Sequence, residues 1–140
     1  MRALIDTCII IDALQNREPF SADAQNILLA SANKYFDGFI SAKSVTDIYY
    51  LTHKLTHSDS NTRNILNRLF VLFSVLDTLG MDCLKAVESN IADYEDAVMI
   101  ETALRSGIDC IVTRNAKDYS LAPLQIYSPS DFLKELYTSD

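Results

Sequence analysis

Short apolar runs alternate with longer stretches of helical periodicity along the whole chain, and polarity changes abruptly where each short run ends. The first run, Ala3, Leu4 and Ile5, is too short and too apolar for a surface helix; it predicts a strand covered on both faces, stopping at Asp6. Residues 8–15 follow with Ile10, Ile11 and Leu14 on one helical face, and Pro19 ends that helix by disfavouring the helical conformation at Glu18. Ser21 suits the N-cap of a second helix in which Ala24, Ile27, Leu28 and Ala32 recur at helical spacing. Residues 36–41 alternate around Gly38 and read as a strand, and a helix over residues 42–54 carries Val45, Ile48, Tyr49 and Leu51.

A fourth helix opens at Ser58-Asp59-Ser60 and runs to Phe70, with Arg63 and Arg68 on its polar side. Residues 73–76 read as a buried strand, and Gly80 separates them from a short helix over residues 82–89. Asp93 suits the N-cap of a helix carrying Val98, Ile100, Ala103 and Leu104, which ends at Ser106 with Gly107 beyond it. Residues 108–113 form the next buried strand, stopping at Arg114-Asn115-Ala116-Lys117-Asp118. A short strand at residues 125–127 precedes Ser128-Pro129-Ser130-Asp131, which opens a last helix with Phe132, Leu133 and Leu136 inward. Strands alternating with helices, without repeats or low-complexity linkers, predict one domain over residues 1–140. Its expected architecture is a three-layer α/β/α fold with a mainly parallel sheet of about five strands.

Composition narrows this reading. A chain of 140 residues is long enough for a core of its own, and 49% hydrophobic with 22% charged residues is ordinary for a globular protein. The three cysteines, Cys8, Cys83 and Cys110, lack metal-ligand spacing and read as reduced, mostly buried thiols of a cytoplasmic protein. No apolar run approaches the roughly 20 residues of a membrane helix, so no membrane partner is expected. A net charge of -7 argues against nucleic-acid binding through a basic surface, yet it admits a nuclease whose metal ions reverse the local sign.

The carboxylates hold the candidate chemistry. Asp6 ends one strand, Asn115 and Asp118 follow another, and Asp47, Asp93 and Asp96 lie at helix starts. In an α/β/α layout helix starts share a sheet edge with strand C-termini, where ligands bind. Each acid also has a plain structural use: Asp6 or Thr7 can cap the following helix, and Asp47 can answer a helix dipole. Two bare carboxylates about 4 Å apart repel by roughly 4 kcal/mol at an effective dielectric near 20, so a cluster of them calls for cations. Oxygen donors without a Cys/His set favour Mg²⁺ or Mn²⁺, ions suited to hydrolytic phosphoryl transfer. Only three glycines are present, with no Gly-rich phosphate loop and no Gly-x-Ser-x-Gly elbow. Ser41, Ser44 and Thr46 read as caps and supporting groups, and His53 with His57 as a solvated pair.

Four motifs in order, with a matching tail, resemble a PIN domain across nearly the whole chain. They are Leu4-Ile5-Asp6-Thr7 with Asp12; Ile40-Ser41 with Ser44-Val45-Thr46-Asp47-Ile48-Tyr49-Tyr50; Asp93-Tyr94-Glu95-Asp96-Ala97; and Ile111-Val112-Thr113-Arg114-Asn115-Ala116-Lys117-Asp118-Tyr119, closed by Ser128-Pro129-Ser130-Asp131-Phe132-Leu133. The resemblance implies a divalent-metal-dependent ribonuclease, often the VapC-type toxin of a toxin–antitoxin pair, with RNA as substrate, a small antitoxin as partner and a homodimeric state. It implies Asp6 and Asp96 as metal ligands with Asp93 close behind. Asp47 stands where the family usually has Glu, and Asn115 and Asp118 are both candidates to complete the site. Thr7, Ser41, Thr113 and Asn115 are the expected supporting groups. Arg17, Lys43, Arg114 and Lys117 are candidates for phosphate contact, and residues 65–73 offer either an interface or a core face.

Two other readings stay open. A haloacid dehalogenase-type phosphatase also carries Asp-Thr after its first strand, but its second acid would fall at Cys8. An inactive PIN domain acting as a protein-binding or RNA-binding module would keep the fold without the chemistry.

Overall fold

A computed structural model of the chain describes residues 1–119 and 121–138, with the Asp118 side chain also outside the described set. Five strands form one sheet: β1 (Arg2–Ile5), β2 (Asp37–Ser41), β3 (Ser74–Leu76), β4 (Cys110–Val112) and β5 (Gln125–Tyr127). Their order is β3-β2-β1-β4-β5 and every pairing is parallel. The chain thus builds outward from β1 in one direction and then in the other. The crevice between β1 and β4 is where the strand order reverses, the place at which such sheets bind ligands.

Strand alternation divides the core into two layers. Ala3 and Ile5 of β1, Ile40 of β2, and Cys110 and Val112 of β4 face one side. There they meet α1 (Thr7–Leu14), α2 (Ser21–Ala32), α3 (Ala42–Thr56), α4 (Asp59–Leu72) and α7 (Pro129–Thr138). Leu4, Phe39 and Ile111 face the other side against Met99, Ile100 and Ala103 of α6 (Tyr94–Arg105), which packs with the short α5 (Gly80–Ala86). Complete burial of Leu4, Ile5, Ile40, Ile111 and Val112 on both faces accounts for the continuous apolar runs in the sequence.

Side-chain caps set most helix starts. Ser41 accepts from the Ser44 amide at 3.2 Å, Ser58 from Asn61 at 3.2 Å, Asp93 from Asp96 at 3.0 Å and Ser128 from Asp131 at 3.2 Å. Ser21 differs from expectation: Phe20 occupies the N-cap position, and the Ser21 hydroxyl donates to Glu18 Oε1 at 2.8 Å. At the other end of α6, Gly107 takes φ +66°, the left-handed conformation that ends a helix there without strain.

Residues 65–73 resolve into an amphipathic stretch. Leu69 and Phe73 are buried in the core, and Leu66 and Leu72 pack against it, whereas Phe70 and Val71 face outward. Phe73 packs so close to β2 that a Cβ at Gly38 would lie 2.6 Å from its ring and 2.7 Å from Ser31 Oγ, which is why position 38 takes no larger residue.

The α5–α6 layer is tied by a polar cluster. Asp82, 1% exposed, accepts from the Leu79 amide, from Thr102 Oγ1 at 2.9 Å, and from Arg105 Nε at 2.9 Å and Nη2 at 3.0 Å. The Arg105 guanidinium holds the Asp82 carboxyl below the ordinary value of 3.8, despite burial acting the other way. Because the folded state binds this proton less readily than the unfolded chain, the stability it contributes is present above about pH 4 and is lost as the pH falls through the lowered value. Replacing Asp82 by Ala is expected to cost about 2–3 kcal/mol at pH 7 and to flatten the acid limb of stability below pH 4; urea unfolding of both proteins at pH 7 and pH 3 measures each effect.

Candidate active site

Asp6 lies directly after β1, and its backbone continues the ladder by donating from N–H to the Val112 carbonyl at 3.0 Å. It holds the N-cap position of α1, but its side chain makes no capping bond. The carboxylate is instead turned across to β4: Oδ2 accepts from Thr113 Oγ1 at 2.7 Å and from Cys8 Sγ at 3.4 Å. Thr113 is fully buried, and its oxygen accepts from the Asn115 amide at 3.1 Å, so its proton is committed to Asp6. The Cys8 thiol is pushed up to about 11, first by burial and then by the Asp6 charge, and stays a protonated donor.

Asp96 occupies the first turn of α6, where the helix dipole favours a carboxylate. Its Oδ1 accepts from the hydroxyl of Tyr119 at 2.7 Å. That tyrosine, 1% exposed, belongs to the short 3₁₀ turn Ala116–Tyr119 that follows β4. Burial, then the charge of Asp6, then its bond to Asp96 raise the Tyr119 hydroxyl far above the ordinary 10.0, so it remains a donor. Tyr119 therefore senses both acids.

Asp6, Asp47, Asp93, Glu95 and Asp96 line one cavity of about 590 Å³, together with Thr7, Cys8, Arg17, Tyr50 and Asn115. Acids from β1, α3 and α6 thus converge at the carboxyl edge of the sheet. Their individual engagements differ. Asp93 spends one oxygen capping α6, and Asp47 pairs with Lys43 at 3.2 Å. Lys43 also contacts Glu95, so its ammonium bridges α3 and α6 between two carboxylates. Ser41 is occupied as the α3 cap and shares a 2.8 Å bond with Ser44. Among the described residues no three His, Cys, Asp or Glu side chains stand close enough together to hold an ion. The Asp118 side chain lies outside the described residues.

Arg114 takes a different place from the one expected of a phosphate contact. Its Nε lies 2.6 Å from Oδ2 of Asp12, which is 1% exposed, and Nη2 donates to Oδ1 at 3.3 Å. The guanidinium also stacks 4.0 Å from the Phe20 ring centroid. The pair fastens the loop after β4 onto α1 and so fixes the segment bearing Thr113 and Asn115. Arg17 does face the cavity, and Lys117 is exposed.

Tyr119 and Glu95 are site residues that pattern reading overlooked. Glu95 sits inside the Asp93-Tyr94-Glu95-Asp96 motif, and its first-turn position beside two acids was a usable signal. Tyr119 gave less warning, because an aromatic after a strand reads as core until its hydroxyl finds a partner.

Residues 2–117 match the family model described as PIN domain. No curated protein sequence matches the chain. Among solved structures, a toxin–antitoxin complex from Klebsiella pneumoniae contains a chain of similar fold, 23% identical, with a TM-score of 0.67, covering 91% of this chain and 97% of that one. FitAcB from Neisseria gonorrhoeae is 18% identical with a TM-score of 0.67, covering 91% and 98%. VapBC2 from Rickettsia felis, bound to a DNA fragment from its promoter, is 17% identical at a TM-score of 0.67, with the same two shares of coverage.

The Asp12–Arg114 pair is open to direct test. Arg114→Ala leaves a buried carboxylate uncompensated and is expected to destabilise the protein by about 3 kcal/mol, read from urea unfolding at neutral pH. A midpoint equal to that of the parent protein would place the guanidinium in solvent.

Proposed function

The chain belongs to the PIN domain family, and from that membership together with its acid-lined cavity we propose that it is a divalent-metal-dependent endoribonuclease, the toxin of a toxin–antitoxin pair. The observation that carries this reading is the arrival of Asp6 and Asp96 in one cavity at the strand-order reversal, each carboxylate accepting from a buried hydroxyl.

The donor set fits a small hard cation. Mg²⁺ takes one or two carboxylates, keeps several waters and reaches toward substrate phosphate. Asp6 and Asp96 would hold it, with Asp93 and Asn115 as further oxygen donors lining the same cavity. When bound, such an ion polarises a phosphodiester and lowers the pKa of an attacking water.

The remaining groups divide the other tasks. Thr113 and Tyr119 fix the carboxylates by donating to them, as partners of metal-binding carboxylates commonly do. Asn115 offers an amide to substrate or solvent at the cavity wall. Arg17 faces the cavity and Lys117 lies exposed nearby in sequence, so both are available to phosphate. Lys43 reaches the substrate only by leaving Asp47 and Glu95. With a net charge of -7, the chain gains RNA affinity from bound metal and these few cations instead of from a basic face.

An antitoxin partner and a homodimer belong to the same proposal. The antitoxin is supported by the toxin–antitoxin complex in which a similar fold occurs. No described helix is long and apolar enough to cross a membrane.

Isothermal calorimetry with Mn²⁺ and cleavage of a single-stranded RNA test the reading together. The parent protein should bind Mn²⁺ and cleave in its presence. Asp6→Asn and Asp96→Asn should each lower cleavage by at least about 100-fold and lose most of the binding heat. Equal Mn²⁺ heats in the parent and Asp6→Asn would show that these acids are not a metal site.

A further inference from the structure

Both acids are gripped from the same short segment. Thr113, the residue after β4, donates to Asp6, and Tyr119, six residues on, donates to Asp96. Asp6 comes from β1 and Asp96 from α6, elements that approach the cavity from different layers. An aspartate carboxylate rotates freely about its terminal torsion, so which oxygen faces a ligand is decided by its hydrogen bonds. The Tyr119 ring cannot follow such a rotation. It is buried with Leu4, Met99, Ile100 and Ile111, and this packing fixes where the hydroxyl stands. Phenylalanine would fill that space equally well, and a buried hydroxyl is retained only where it is satisfied.

Resting on the metal-nuclease reading above, we infer that Tyr119 is a positioning residue: its hydroxyl sets the orientation of the Asp96 carboxylate so that Asp6 and Asp96 present oxygens to one cation. Residues 113–119 then act as a template, one hydroxyl at each end, that aligns two acids from different elements. Tyr119 itself contacts neither metal nor RNA in this scheme. Its effect passes through Asp96.

The test compares the parent chain, Tyr119→Phe and Asp6→Asn by calorimetry with Mn²⁺ alone, alongside thermal unfolding without metal. Tyr119→Phe keeps the ring, so its melting temperature should stay close to that of the parent while Mn²⁺ affinity falls about 10-fold, the loss typical when a ligand's supporting hydrogen bond is removed. Unchanged affinity in Tyr119→Phe with normal binding by the parent overturns the positioning role and leaves the metal site intact. A melting temperature that falls while affinity holds assigns the hydroxyl to stability alone and also overturns it. A parent that binds no Mn²⁺ removes the metal-nuclease reading and this inference with it.

A second measurement needs no variant. With tyrosine labelled by ¹³C at the ring carbon bearing the hydroxyl, the Tyr119 resonance should move during Mg²⁺ titration and follow the isotherm from calorimetry with Mg²⁺. If Tyr119→Phe fails to fold, this titration decides: a resonance that does not move sinks the proposal.

Discussion

The site depends on the parallel pairing of β1 with β4. Ala3, Leu4 and Ile5 lie in register with Cys110, Ile111 and Val112, and the Asp6 amide extends the ladder by one more bond to Val112. Once that register is set, Asp6 and Thr113 leave the sheet side by side and their 2.7 Å bond follows. A slip of one residue would exchange the two faces of a strand and carry Leu4 into the layer now holding Ala3 and Ile5. Full burial of all three residues makes such a slip costly, so the same apolar packing that stabilises the sheet also aims the carboxylate.

Around this pairing the charges are managed in two ways. On the cavity floor, neutral hydroxyl and thiol donors face Asp6 and a tyrosine hydroxyl faces Asp96. At its margin, cations of the protein already neutralise acids: Lys43 lies between Asp47 and Glu95, and Arg114 holds Asp12. A soft division follows between acids that support the fold and acids that can serve an added ion. Asp82 and Asp12 are buried and bonded to arginine, and belong clearly to the first group.

Much of the fold is legible in the sequence because buried parallel strands appear as apolar runs that end in polar residues. The boundaries follow less closely, since they depend on partners. Residues 108 and 109 look like strand, yet β4 pairs only over Cys110–Val112, because in that register they fall opposite Met1 and Arg2, where β1 is only beginning. The fifth helix begins at Gly80, upstream of the expected residue 82, where Asp82 accepts the Leu79 amide. Asp6, Asp93 and Asp96 could be singled out because strand ends and helix starts are local features. The direction of Arg114 could not, since Asp12 lies 102 positions earlier and lysine-like availability looks the same from sequence alone. Tyr119 was hidden for the same reason: its role exists only through a hydroxyl contact 23 positions away.

The central place of β1 also has a temporal side. A nascent chain presents Asp6 first and Asp96 much later, and Thr113 and Tyr119 follow both. β1 must wait, with its β4 edge bare, for a strand more than a hundred residues downstream. Translation therefore delivers the two acids first and their alignment afterwards, so that the cavity takes its final form only once β4 and the turn beyond it have followed.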